Sequence, residues 1–356
     1  KGFEFTGSAA LLSESTNSRI EDCNFKFGSY NKFTVGNFDI PVTTRIENSG
    51  RDTSHGNALV NCQFTYLDGN AFEGRSYGLI IDNVLIYRTQ QTTLGLDSRS
   101  MSIKDPSVVR RVTLDDVGAS VGIRGGGMDG VYELNNIMHF GGLQYDGASL
   151  QMGGREKFVY RYNWSHDHPK RSYRFDAGSY PDYSNAYGEM SYNVAWNTPG
   201  GFAIKGDDHL IHNNVLLGDS GFELFNMKRW AGKNERTLVA NNIVAFLSAG
   251  SYDWDQPVSK KRTDNPNPLV TDEYWISETK VSPGHPTIVG QGQSYFDDGN
   301  KSGKRKAPLM AIQKKNYHDD PNLVLRDPAN LDFRPKANGG LIDAGHAITR
   351  EAVSYT

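Results

Sequence analysis

An all-β solenoid, in which one turn of short parallel strands stacks on the next, is the architecture this sequence predicts, and three observations predict it. Asparagine recurs just ahead of apolar residues, as in Tyr192-Asn193-Val194-Ala195 and His212-Asn213-Asn214-Val215-Leu216. The segments that follow alternate apolar with polar residues, as in Phe202-Ala203-Ile204-Lys205 and Phe222-Glu223-Leu224. Gly is abundant at 38 residues, Tyr and Phe supply 18 and 17, and long apolar runs of helical period are scarce. Period-two alternation punctuated by turn residues is a strand signal, and its return at an interval is the mark of a repeat protein.

Aligned on Cys or Asn, the segments form a ladder at Cys23, Cys62, Asn83, Val112, Asn136, Asn163, Asn193, Asn214 and Asn242, in steps of about 20 to 30 residues. The first step is longer, and the polar run 43–57 reads as an insertion within it. Steps of this size suit a single-stranded parallel β-helix, whose like residues stack about 4.8 Å apart. A stacked Asn can bond both to its own turn and to the amide above, whereas an isolated buried Asn would be costly. An antiparallel sandwich also has many short strands but no reason to repeat Asn at one point of each unit.

The coils are expected over 1–247. A loop-rich excursion rich in Pro, Lys, Asp and Ser follows over 248–319, and a closing strand and turn of the same domain over 320–356. Cys23 and Cys62 share one site of the repeat and read as buried, stacked thiols, with a disulfide as the second reading. The first coil, around Gly2 to Gly7, lacks the polar or helical cap a solenoid end needs, so a cap is expected upstream or from another element. Lys1 to Phe5 does not read as a signal sequence, and no run reaches the roughly 18 apolar residues of a membrane span. The 38 basic and 41 acidic residues give a formal charge of −3. There is no basic stripe for nucleic acid, so any anion attraction must be local, and a monomer is expected.

Ile20-Glu21-Asp22-Cys23-Asn24-Phe25, the run Val131 to His139, Tyr162-Asn163-Trp164-Ser165-His166-Asp167 and the ending Leu341-Ile342-Asp343-Ala344-Gly345 carry a resemblance. They resemble the right-handed parallel β-helix superfamily of secreted bacterial carbohydrate-active enzymes, over residues 1 to about 247 and the last 30 or so. The resemblance implies a right-handed coil, a secreted or periplasmic location, and hydrolysis, elimination or epimerisation of polysaccharides. It speaks for the fold more than for the reaction, since a fold hosts many reactions.

Turning the apolar residues Ile123, Leu150, Met152, Tyr173, Phe175, Phe202, Ile204, Phe222 and Leu224 inward turns their alternates outward. One outward row then reads Arg124, Gly153, Asp176, Lys205 and Phe225, and its neighbour Gly122, Gln151, Arg174, Ala203 and Glu223. Exposed strand positions are often simply polar. Here, though, both signs of charge gather beside Gly125-Gly126-Gly127, Gly153-Gly154 and Gly206, which are expected to clear the surface for a ligand.

Glycoside hydrolysis needs two carboxyl groups, about 6.5 to 9.5 Å apart for inversion. Asp176 and Asp207 fall one coil and two residues apart, roughly 8 Å between backbone positions, and Asp208 is an equally near substitute. Such pairs resemble those of polygalacturonase-like hydrolases, although the Asn-Thr-Asp and Arg-Ile-Lys motifs of that family are absent. β-Elimination needs instead a base, a carboxylate neutraliser and an acid. Lys205 or His166 would be the base, Arg174 the neutraliser, and Tyr180 or His168 the donor. Calcium, not required for hydrolysis, would in that case take oxygens from Asp176, Asp207, Asp208 and Glu223. His166 and His168 flank Asp167 without a third soft ligand at a recognisable spacing, so no metal site is expected there. Arg124, Lys170, Arg171, Arg174 and Lys205 make this the most cationic part of the wall, suited to an extended uronate- or sulfate-bearing chain. Gln151, His168, Glu223, Tyr180 and Trp230 are further contacts, the last two for ring stacking, while Trp164 and Trp196 are expected in the core. A non-catalytic binding module is the remaining alternative.

Overall fold

The structure, a computed structural model, describes residues 1–7, 10–13, 15–28, 42–47, 55–91, 99–126, 129–142, 147–153, 157–176, 187–198, 200–227, 236–252, 294–295, 308–309, 312–314, 316–317, 321–342, 344–345 and 348. Nearly all regular structure among them is strand, and the rest is two single 3-10 turns, Pro321–Leu323 and Pro328–Asn330. The chain divides into two compact units, Lys1–Arg174 and Phe175–Thr356.

In the first unit each repeat contributes three strand segments, and each pairs in parallel with its counterpart in the next repeat. The first segments include Arg19–Glu21, Ala58–Val60 and Phe158–Arg161. The second include Asn24–Lys26, Gln63–Leu67, Asn136–Met138 and Trp164–His166. The third include Asn70–Gly74, Arg99–Ile103, Val121–Gly125 and Ala148–Gly153. The inner row of the second segments runs Phe5, Phe25, Phe64, Ile86, Leu114, Ile137 and Ser165. Phe5, Phe25 and Phe64 stack face to face at 4.7 Å, the spacing of neighbouring strands. Burying each of the two inner rings contributes about 2 to 3 kcal/mol.

Bends with positive φ separate the segments, and they recur at fixed offsets. Asp22, Asn61, Asn83, Arg111, Leu134 and Tyr162 form one set, each immediately before a ladder residue. Phe27, Tyr66, Arg88, Asp116, His139 and Asp167 form another, five residues later in each repeat. Asn, Asp and Gly enter this region readily, but Leu134 and Tyr162 must be held there by the ladder on either side.

The ladder therefore runs Cys23, Cys62, Val84, Val112, Asn135 and Asn163 in this unit. Asn83 and Asn136, expected in it, stand one residue away. Asn83 is a bend residue whose amide bonds outside to Asn61, and the Asn136 amide oxygen faces His166. Asn163 Oδ1 accepts from the Asn135 backbone N–H at 3.1 Å and its amide at 2.9 Å, while Asn163 Nδ2 donates to Tyr132 O. Cys23 and Cys62 are buried free thiols, and burial pushes the Cys62 thiol up to about 11. Trp164, expected in the core, is 37% exposed, because it pairs with Asn136 on the outward side while Ser165 takes the inward place.

The second unit repeats the plan with an all-asparagine ladder of Asn193, Asn214, Asn242 and Asn316, the Oδ1 of each of the last three accepting from the ladder N–H of the repeat before. Asn316 and the parallel strand Ile312–Lys314 lie inside the stretch read from sequence as an excursion, most of which falls outside the described residues. Leu325–Asp327 and Asp332–Pro335 form an antiparallel hairpin. Val324 and Leu325 join Leu217, Ile243 and Tyr317 in a buried cluster, against which Trp196 and Phe333 pack.

Candidate functional site

In the first unit the third segments set the expected outward row, and its register differs from expectation. Glu73, Ser102, Arg124 and Gln151 are successive partners, so Arg124 stands beside Gln151 rather than Gly153. Ile123 seats inward on Leu150, which fixes its neighbour. Arg124 is partly exposed, whereas Gln151 and Arg174 are 4% and 8% exposed and do not offer an open wall to a ligand. Gly125 does not clear the surface either. A side chain there would meet Met152 and the Tyr132 hydroxyl, so that glycine makes room for the interior. Tyr132, Tyr160 and Tyr173 are fully buried, and burial holds all three phenols above their usual range.

His168, expected to touch substrate, is an interior residue. Its Nδ1 accepts from the Lys170 N–H, and its Nε2 lies 2.7 Å from Ser165 Oγ, which donates on to Ser149 Oγ, itself bonded to Ser172 O. Its ring packs edge-on to Phe140 at 4.4 Å. Burial pushes its pKa down to about 3, so it stays neutral and organises the turn. Lys170, on that turn, is partly exposed, and its stem runs over Gly141, whose missing side chain makes the space. Arg171 is also partly exposed.

His166 belongs to the second-segment sheet, not to the strand that carries Arg174. Its Nδ1 is 2.6 Å from Asp167 Oδ2 and its Nε2 is 2.9 Å from Asn136 Oδ1. One repeat earlier, His139 holds Asp115 through Nδ1 at 2.7 Å. Asp115 and His139 escaped the sequence reading, which weighed Asp167 only as a neighbour of two possible metal ligands. The offset of four residues beyond the ladder would have found His139 and Asp167, since that is where the second bend falls in every repeat of this unit.

In the second unit the segment Lys205 to His209 is held from three sides. The His209 Nε2 donates to Lys205 O at 2.9 Å, its Nδ1 accepts from the Gly188 N–H at 3.0 Å, and its own N–H reaches Thr237 Oγ1 at 3.2 Å. Both ring nitrogens thus serve the neutral form, and complete burial pushes the pKa down to about 4. Gly206 at φ 107 and Asp208 at φ 58 make the turn.

Asp208, expected as an alternative to Asp207, is 6% exposed and bound by Arg236 through Nε and Nη2, the latter 2.7 Å from Oδ2. It is a corner residue whose carboxylate is already spent. Lys205 and Asp207 remain half-buried at the segment's outer side. Lys205 pairs with Phe225 and Ala203 with Glu223, in the expected register. Asp176 ends the strand Arg171–Asp176, but its side chain and that of Glu223 lie outside the described residues, as do Tyr180 and Trp230 entirely.

Among the described residues no three His, Cys, Asp or Glu side chains stand close enough to hold a metal ion. No helix there is long and apolar enough to cross a membrane. No family model, curated protein or solved structure is significantly similar to the chain.

Proposed function

We propose that the chain is a right-handed parallel β-helix of a secreted or periplasmic enzyme that cleaves an acidic polysaccharide by hydrolysis. Parallel pairing at the repeat spacing, with a ladder residue at each turn, supports the architecture.

The observation that carries the chemistry is the division of labour in Lys205 to His209. His209 and Asp208 are buried and tied down by the protein, and Lys205 and Asp207, just ahead of them in the chain, are partly exposed. Asp207 and Asp176 are the carboxyl pair in this reading. One protonates the leaving oxygen and the other activates water. Lys205 supplies a cation that attracts a uronate or sulfate ester.

With Asp208 committed to Arg236, a second reading gains weight. Lys205 takes the C5 proton of a uronate in a β-elimination, with calcium held by Asp176, Asp207 and Glu223 if it takes part. Digestion of a panel of uronate-bearing and sulfated polysaccharides separates the two. New reducing ends without a near-ultraviolet absorbance mean hydrolysis, and ends with that absorbance mean elimination. Retention of the polymer with neither product leaves a binding module and ends both enzyme readings.

A further inference from the structure

The second segments of the first unit form a sheet whose outer side plays no part in the reaction above. Phe27 and Tyr66 are 57% and 45% exposed there, their rings 5.5 Å apart, and Tyr87 meets Tyr66 edge-on at 5.9 Å. The Arg88 guanidinium lies over the Tyr87 ring at 5.3 Å. Further along come His139, its side chain 57% exposed, and Trp164, 37% exposed.

The two strong cations of this sheet, Lys26 and Arg88, are paired with carboxylates on it, and its two imidazoles stand beside carboxylates. Lys26 pairs with Glu4 at 2.9 Å, Arg88 with Asp116 at 2.9 Å, His139 with Asp115 at 2.7 Å and His166 with Asp167 at 2.6 Å. A surface whose strong cations are already paired and whose other charges are carboxylates has little pull on a polyanion. Exposed aromatic rings beside oriented carboxylates and imidazoles suit a different ligand, one with apolar faces and many hydroxyls. From Phe27 to Asp167 the bend column spans five repeat steps, about 24 Å at the strand spacing, which is room for several sugar units in line.

We infer that this sheet is a binding face for an uncharged polysaccharide, with its sugar rings against Phe27, Tyr66 and Trp164 and their hydroxyls on His139 and its carboxylate neighbours. Asp115 holds His139 by Nδ1, so Nε2 is the ring atom this 57% exposed side chain has to offer a hydroxyl. The inference stands apart from the cleavage reading, because neutral polymers offer nothing for the cations of that site to hold.

Native affinity electrophoresis through gels containing a soluble β-glucan, a galactomannan or an arabinoxylan tests it. The wild-type chain is slowed by at least one of them. Tyr66→Ala weakens that binding at least about fivefold and His139→Gln about threefold, at unchanged melting temperature, while Lys205→Ala leaves it as it was. No retardation in any of the three gels overturns the inference, as does retardation that survives both sheet variants or disappears with Lys205→Ala. A dimer in sedimentation that Tyr66→Ala dissociates would put a second copy on the face and overturn it equally.

Discussion

Two stretches of the first unit build the same turn from different chemistry. At Cys23, Cys62, Val84 and Val112 the ladder is thiol and methyl, and at Asn135 and Asn163 it is amide. The main chain behaves alike in both. The residue after the ladder donates to the ladder carbonyl of the repeat before, as Leu85 does to Cys62 and Trp164 to Asn135. Register is therefore a backbone property, and the side chain decides how the buried turn groups are satisfied. Asn135 Nδ2 donates to Val109 O at 3.1 Å, and Cys62 Sγ lies 3.8 Å from Ile20 O, the equivalent carbonyl of its own neighbour. The sulfur is a weak version of the amide.

That comparison can be broken most sharply where the amides are densest. Asn214→Ala removes an acceptor from the Asn193 N–H and a donor from Met190 O and Asn242 Oδ1, all buried. Leaving such groups without partners costs about 3 kcal/mol or more, and urea unfolding should show the midpoint falling while the slope holds.

Acid should act next. A neutral buried His binds its proton more readily in the unfolded chain, so the stability from the depressed His209 pKa is full above about 6.5 and drains as pH falls toward about 4. The loss is about 3 kcal/mol at pH 4. His209→Gln should flatten that part of the stability profile.

The smallest effect sharpens the comparison from the other side. Val112→Asn places an amide next to Asn135, whose Oδ1 already meets the Val112 N–H at 2.9 Å, so it extends the ladder and costs less than about 1 kcal/mol. The same change at Leu114, on the inner row, costs about 3 kcal/mol because no turn backbone is there to receive it. Equal losses at the two positions would count against the ladder.

The parallel-strand, all-β character was legible from alternation and repeat spacing, down to the pairing of Ala203 with Glu223 and Lys205 with Phe225. The ladder was misread at Asn83, itself a bend residue, and at Asn136, while Asn214 and Asn242 were read correctly from like pairs of adjoining asparagines. In Asn213-Asn214 the first is the bend and the second turns inward, whereas in Asn135-Asn136 Leu134 is the bend and the first turns inward. Spacing alone does not decide which of the two takes the positive φ. The site was less legible than the fold because its outcome rests on partners a repeat away. Nothing near Asp208 announces Arg236, and nothing near His168 announces Ser149.

Asp207 and Asp208 are neighbours in sequence with opposite fates, and assaying Asp207→Asn and Asp208→Asn side by side on an acidic polysaccharide that the wild type cleaves tests the functional account most directly. Asp207→Asn should lose turnover by about a thousandfold at an unchanged melting temperature, and Asp208→Asn should keep turnover but lose about 1 kcal/mol of stability as its pair with the exposed Arg236 breaks. Wild-type turnover in Asp207→Asn, or lost turnover in an Asp208→Asn chain that melts as the wild type does, would contradict it.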